Sequence, residues 1–206
     1  QKGIRMANNF DPSKNDPFQL FEEWLGEAKR ADPNNPEAMC LSTVSNAGHP
    51  SSRMVLLRQH GPEGFVFYSN SMSRKGEELS ENPFVSLCFY WRPLQKQVRI
   101  EGRVEKIPQQ IVEDYFHSRH RGSQIASAAS KQSQPLPDKQ IYIDRFNEID
   151  KQYEGKDNIP CPDHWNGYCV IPSSIEFWVE GEYRMHDRFI FTRNNSGEWV
   201  AQRLYP

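Results

Sequence analysis

The chain has 206 residues, 36% of them hydrophobic and 25% charged, with a formal net charge of −2 at pH 7. That length suits one domain, residues 1–206, with a substantial core, and the charge balance excludes the broad positive field of a general nucleic-acid binder. No apolar run approaches the roughly 18 residues of a membrane span and no signal peptide is legible, so a cytoplasmic protein with neither nucleic-acid nor membrane partners is expected.

The chain opens on Gln1 rather than Met, from which further N-terminal sequence is expected. Asp16-Pro17 combines an N-cap with proline at the first helical position, and Phe18, Phe21, Trp24, Leu25 and Ala28 form an apolar stripe, which predicts a helix over about 17–31. From Ala38 to Ile107 short alternating runs follow: AMCLSTV, SSRMVLL, GFVFYSN, FVSLCFYW and KQVRIEGRVEKI. They are broken at Asn46-Ala47-Gly48, Gly61-Pro62-Glu63-Gly64 and Arg92-Pro93, with one short helix over Ser73 to Ser80. Residues 108–154 read as a helical insertion. Pro108 to Ala129 is its first part, SKQSQPLPD a loop, and Asp138 to Tyr153 an amphipathic helix carrying Ile141, Ile143, Phe146 and Ile149. Strands return over about 166–204 as NGYCVI, SIEFWVEG, DRFIFTR and EWVAQRL, with a hairpin turn at Asn194-Asn195-Ser196-Gly197. The expected fold class is mainly β with flanking α-helices, a barrel of mostly antiparallel strands.

Three groups of residues carry potential chemistry. Arg184, His186 and Arg188 follow an aromatic strand at alternating positions, which would send two guanidiniums and an imidazole to one face suited to an anion. Tyr115, Arg119 and Ser123 are spaced by four, placing them at roughly 0°, 40° and 80° around one helix. That stripe is either a phosphate or carboxylate cradle or a solvated polar face, and Gly122 weakens the continuity it needs. Arg53 and Ser73-Arg74-Lys75 bring cations to a helix N-terminus. Alternation turns Arg53, Val55 and Leu57 to one face and Met54, Leu56 and Arg58 to the other, while Gln97, Gln132 and Ser133 add neutral donors. The sequence has no GxGxxG, Walker loop or GxSxG. Cys40, Cys88, Cys161 and Cys169 are isolated and expected as reduced thiols, and neither they nor the six histidines show metal-ligand spacing.

In order along the chain, SSRMVLLR (51–58), SRKGEEL (73–79), QKQVRIEG (95–102), YFHSRHRGSQI (115–125), SKQS (130–133) and EFWVEGEYRMHDR (176–188) resemble the pyridoxine (pyridoxamine) 5′-phosphate oxidase family, from about Asp16 to Pro206. The resemblance implies an FMN-binding split β-barrel, working as a homodimer with FMN at the subunit interface. By motif position, Arg53, Met54, Val55, Leu56, Tyr68, Ser69, Arg74, Lys75, Gln97, Gln132, Ser133, Trp178 and Arg188 would contact FMN. Arg58, Tyr115, Arg119 and Ser123 would take the substrate phosphate, and Arg184, Met185 and His186 the pyridine ring, with Arg184 and His186 catalytic. The implied reaction is oxidation of pyridoxine 5′-phosphate or pyridoxamine 5′-phosphate by O2 to pyridoxal 5′-phosphate, releasing H2O2, and ammonia from the amine. The alternatives are another split-barrel flavin reductase or oxidase, and a binding protein without turnover.

The chain departs from the family pattern at six places. Arg58 stands for Lys, His120 for Pro, Asn166 for Gly, Val179 for Gln and Met185 for Leu, while Ala126-Ser127 replaces Gly-Ala. Arg58 keeps the charge but brings a planar fork in place of a compact ammonium. The family's N-terminal Arg and Tyr that cover the substrate have no counterpart after Gln1.

Overall fold

Asp16 accepts hydrogen bonds from the amides of Phe18 (2.9 Å) and Gln19 (3.0 Å), and Pro17 supplies a pre-set φ. Helix α1 (Pro17–Ala31) therefore begins where a carboxylate cap and a fixed dihedral coincide. The computed structural model describes residues 10–156 and 158–206, so Gln1 lies outside the described residues.

After α1 come strands β1 (Ala38–Val44), β2 (Pro50–Leu56), β3 (Gln59–Gly61) and β4 (Gly64–Asn70), helix α2 (Arg74–Glu81), and strands β5 (Phe84–Trp91) and β6 (Lys96–Lys106). Helices α3 (Gln109–Ser118), α4 (Arg121–Ala129) and α5 (Lys139–Gln152) then lead to β7 (Trp165–Val179), β8 (Asp187–Arg193) and β9 (Trp199–Leu204). Among the described residues the strands form one nine-stranded sheet in the order β2-β1-β5-β6-β7-β4-β3, with β8 on β7 and β9 on β8. Every pairing is antiparallel. The result is mainly β, a curled half-barrel with flanking helices.

The two runs NGYCVI and SIEFWVEG, expected as separate strands, are one 15-residue strand, β7. Pro172 is where its partner changes. Residues 165–170 pair with β4 and residues 174–179 with β8, while β6 runs along the opposite edge from residue 168 to residue 179. Proline lacks the ladder donor, and β6 shifts register between Glu101 and Gly102 opposite it, so a bulge absorbs the missing bond. Gly102 is required there because a Cβ would overlap the Ile171 carbonyl.

The core lies between the concave sheet and α1. Phe21 is fully buried, with its ring 5.0 Å from Phe65, 5.1 Å from Phe89 and 6.1 Å from Trp91, while Trp24 meets Phe177 edge-on at 5.1 Å. By contrast α5 buries none of its side chains, and Ile141 and Ile143 are exposed.

The stretch read as helical from Pro108 to Ala129 is two helices. Arg119 (ψ 154°) and His120 (ψ 136°) are non-helical, because the His120 imidazole Nδ1 accepts the Gly122 amide at 3.2 Å and caps a new helix. The buried Gln124 side chain then donates to the carbonyls of His117 (3.3 Å) and Arg119 (2.8 Å), closing the end of α3. Tyr115, Arg119 and Ser123 therefore do not form a stripe on one helix.

Candidate functional site

The interruption between α3 and α4 does not scatter those three residues. Tyr115, Arg119 and Ser123 all line one cavity of about 770 Å³, together with Arg53, Met54, Val55, Leu56, Arg58, Tyr68, Ser69, Arg74, Lys75, Gln132 and Ser133. Arg53 and Arg58, on opposite sides of the β2 alternation, meet in this cavity because Arg58 lies beyond the strand's end at Leu56.

One end of the cavity is built around a buried carboxylate. Glu78, in α2, is 5% exposed and accepts hydrogen bonds from Thr43 Oγ1 (2.5 Å), Ser51 Oγ (2.6 Å) and Arg74 Nε (2.9 Å), with Arg53 Nη2 at 3.4 Å. Burial alone would raise this acid, but the Ser51 and Thr43 hydroxyls and the Arg74 guanidinium overcome it and hold Glu78 at about 2. The carboxylate thus gathers two guanidiniums that would otherwise repel each other. Arg53 also donates to the Leu41 carbonyl (3.2 Å) and the hydroxyls of Thr43 and Ser51. Lys75 is buried beside them, donating to Gln132 Oε1 (2.8 Å) and Ser73 Oγ (3.1 Å).

The other end is aromatic. Tyr68 stacks on Tyr115 at 4.1 Å and on Trp165 at 5.1 Å, and the Tyr68 hydroxyl is buried without a hydrogen-bond partner. The Arg119 guanidinium lies 4.9 Å from the centre of the Trp165 ring, and its Nη1 donates to Ser127 Oγ at 2.9 Å. A cavity with four arginines, a buried lysine and an orphaned buried hydroxyl suits a phosphorylated ligand.

Six predicted residues do not line the cavity: Gln97, Trp178, Arg184, Met185, His186 and Arg188. They form a second cluster. Gln97 on β6 pairs with Trp178 on β7, Trp178 pairs with Arg188 on β8, and the His186 ring lies 4.6 Å from Trp178. Arg184, His186 and Arg188 do not alternate along one strand, because Glu182–Arg184 is a 3₁₀ turn and only Arg188 belongs to β8. Tyr183 (φ 54°) and Arg184 (φ 64°) both occupy the left-handed region, a strained arrangement for two consecutive non-glycine residues. The His186 Nδ1 accepts the Gly181 amide at 3.1 Å, which leaves the proton of the neutral ring on Nε2 as an outward donor. Arg188 is fixed by the buried Glu176 (2.9 Å) and the Tyr205 carbonyl (3.0 Å). Arg184 is exposed and has no hydrogen-bonding side-chain partner among the described residues.

Residues 25–153 match the family described as Pyridoxamine 5′-phosphate oxidase, and residues 165–206 match the Pyridoxine 5′-phosphate oxidase C-terminal dimerisation region. The chain belongs to the pyridoxamine 5′-phosphate oxidase family. The pyridoxine/pyridoxamine 5′-phosphate oxidase of Novosphingobium aromaticivorans is 49% identical over 191 residues, 93% of this chain and 94% of that protein. The protein of the same name in Pelagibacter ubique is 44% identical over 206 residues, 100% of this chain and 99% of its own length. Among solved structures, PhzG from Burkholderia lata 383, in complex with tetrahydrophenazine-1-carboxylic acid, aligns with a TM-score of 0.89 at 28% identity, covering 97% of this chain and 98% of that one. A pyridoxamine 5′-phosphate oxidase-related, FMN-binding protein from Nostoc punctiforme shares the fold, with a TM-score of 0.74 at 16% identity, covering 93% and 98%.

Both family regions meet in one sheet, since β7 of the oxidase dimerisation region pairs with β4 and β6 of the other. Several cavity residues lie outside the motif blocks, Asn70, Ala126 and Tyr142 among them. Trp165 and Ser127 reach the cavity only through tertiary packing. Glu78 lies under it, inside the SRKGEEL block and four residues from Arg74, yet the sequence assigns it no role. Among the described residues no group of His, Cys, Asp or Glu could hold a metal ion, the four cysteines are unbridged, and no helix is long and apolar enough to cross a membrane.

Lys75 gives this oxidase-family cavity a pH dependence. Burial, with the charge of Arg53 adding to it, pushes the ammonium down to about 8. Its charge is therefore present below that value and lost as pH rises through it. Between about 8 and its ordinary 10.5 the unfolded chain binds more protons than the folded one, so this group makes the ligand-free protein more stable as pH rises. Sulfate, whose charge is constant over this range, should bind about tenfold more weakly at pH 9.5 than at pH 7. Calorimetric titration of wild type and Lys75→Gln checks this, the variant showing no such slope.

Proposed function

We propose that this chain is an FMN-dependent oxidase of pyridoxine 5′-phosphate and pyridoxamine 5′-phosphate. In this reading it acts as a homodimer in which the cavity of one copy is completed by the Trp178–His186–Arg188 cluster of the other. The observation that carries the reading is the division of the motif residues. Fourteen line the cavity and six form a separate cluster, five of the six falling within residues 165–206, the region that matches a dimerisation module. A two-fold dimer brings the same pair of surfaces together twice, giving two complete sites.

The donor set fits the cofactor. Arg53, Arg74 and Lys75 would hold the FMN phosphate, with Ser69, Gln132 and Ser133 beside them and the β2 residues Met54, Val55 and Leu56 along the flavin. From the second copy Gln97, Trp178 and Arg188 would complete its enclosure. FMN when bound supplies two-electron oxidation of the substrate's alcohol or amine carbon, with O2 as final acceptor. Arg58, Tyr115, Arg119 and Ser123 would bind the substrate phosphate, and that anchoring fixes the orientation of the pyridine ring. Arg184 and Met185 would cover the ring. Arg184 acts through position and charge, since a guanidinium stays protonated. The His186 Nε2–H would donate to an acceptor on the ring, its tautomer set by the Gly181 amide.

The test is to purify the protein, record its visible spectrum, and add pyridoxamine 5′-phosphate or, separately, pyridoxine 5′-phosphate under air. A yellow protein that releases aldehyde and peroxide, and ammonia from the amine, agrees with the proposal. A flavin-loaded protein that turns over neither substrate contradicts it.

A further inference from the structure

We propose that Ser127 is a positioning residue that sets the direction of the Arg119 guanidinium and so tunes the cavity for a phosphate monoester dianion. The inference deepens the function proposed above and rests on that reading for the identity of the substrate. Arg119 sits between two helices in extended backbone, so no helical geometry dictates where its side chain points. Three contacts do so instead. Gln124 holds its carbonyl at 2.8 Å, the Trp165 ring lies 4.9 Å from its guanidinium, and Ser127 Oγ accepts from Nη1 at 2.9 Å.

Ser127 and Trp165 are themselves linked. The His164 Nε2 donates to the Ser127 carbonyl at 3.2 Å, tying the last turn of α4 to the residue that precedes Trp165. The hydroxyl and the ring are therefore anchored to one another through the backbone, and both contact the guanidinium. Arg58 lines the same cavity, and its charge and that of Arg119 repel. Ser127 draws one N–H of Arg119 back toward α4, which keeps the two forks apart and leaves the remaining N–H groups for a ligand. Two separated guanidiniums, with the Ser123 hydroxyl and the Tyr115 phenol beside them, match the three acceptor oxygens of a phosphate monoester better than the two of a carboxylate. Alanine at 127 would release Arg119 without removing any group proposed to touch the substrate.

The experiment uses FMN-loaded wild type, Ser127→Ala and Ser127→Thr. KM and kcat are measured with pyridoxamine 5′-phosphate, and inorganic phosphate is titrated calorimetrically. Ser127→Ala should raise both KM and the phosphate dissociation constant about 5- to 10-fold, the net worth of one ordinary hydrogen bond, since Ser127 acts through Arg119 and not on the phosphate, with kcat changed less than about twofold. Ser127→Thr, which keeps the hydroxyl, should restore both. Unchanged phosphate affinity in Ser127→Ala, an equal loss in Ala and Thr, or a fall in kcat at constant KM overturns the proposal. If the wild type fails to oxidise the substrate but phosphate affinity falls in Ala and returns in Thr, the proposed function fails and the role of Ser127 stands.

Discussion

Replacing Arg184 by alanine should lower turnover by about 10²- to 10³-fold while FMN content and thermal stability stay at wild-type values, the loss expected when one preorganised charge is removed from a reacting centre. The side chain is exposed and has no hydrogen-bonding partner among the described residues, so removing it costs the fold nothing. Its backbone tells the opposite story. Tyr183 and Arg184 are held consecutively at positive φ, an arrangement costing about 1–3 kcal/mol per residue that persists only where the surroundings impose it. The surroundings here are the Gly181 amide bonded to His186 Nδ1 and the Met185 amide bonded to the Glu182 carbonyl at 3.0 Å. A Cβ at Gly181 would overlap the Met185 carbonyl, so the turn closes only around glycine. A strained turn that presents an unengaged guanidinium is organised for a ligand. Turnover and flavin absorbance of the purified variant decide the matter. Loss of FMN would move Arg184 to the cofactor, and unchanged turnover would remove it from the site.

Phe21→Ala should lower the unfolding free energy by about 3–5 kcal/mol, as for other large aromatic truncations in a packed core. Phe21 is fully buried and touches rings on β4 and β5 as well as His60 on β3, so it fastens α1 to three strands at once. Neighbouring side chains belong to opposing walls and cannot collapse into the vacancy without moving the sheet, which puts the cost at the upper end of the range. Urea unfolding of the FMN-loaded protein measures it. A loss below about 1 kcal/mol would mean that α1 does not close the half-barrel as described.

Much of this architecture is legible in the sequence because local chemistry decides it. Asp16-Pro17 places the start of α1, and AMCLSTV, GFVFYSN and FVSLCFYW are strands residue for residue. Local rules mislead where a tertiary partner compensates. Pro172 reads as a strand break, yet β6 remains paired on the far edge and the Gly102 bulge accommodates the missing donor. The break between α3 and α4 is hidden because an imidazole, not one of the usual short polar side chains, caps α4. The three-residue β3 is too short to leave a pattern.

The site follows the same division. Motif blocks select the cavity residues, since Arg53, Arg58, Lys75 and Arg119 each stand in a recognisable segment. What they cannot give is the separation of Gln97, Trp178 and Arg188 from that cavity, which depends on the registers Gln97↔Trp178 and Trp178↔Arg188 across three strands. Glu78 would also be passed over in an anion site, because a carboxylate there makes sense only once it is seen bridging Arg53 and Arg74.

The claim that one site is built from two copies can be tested by complementation. Arg184→Ala disables the cluster half, and the double variant Arg58→Ala/Arg119→Ala disables the cavity half. Each alone should be nearly inactive at substrate concentrations below the wild-type KM. After subunit exchange at equal amounts, half the dimers are mixed, and each mixed dimer holds one doubly altered site and one with both halves intact. The mixture should therefore recover about a quarter of wild-type activity. If it stays as inactive as its parents while mixed dimers are shown to form, each site is built within a single chain and the proposed assembly is wrong.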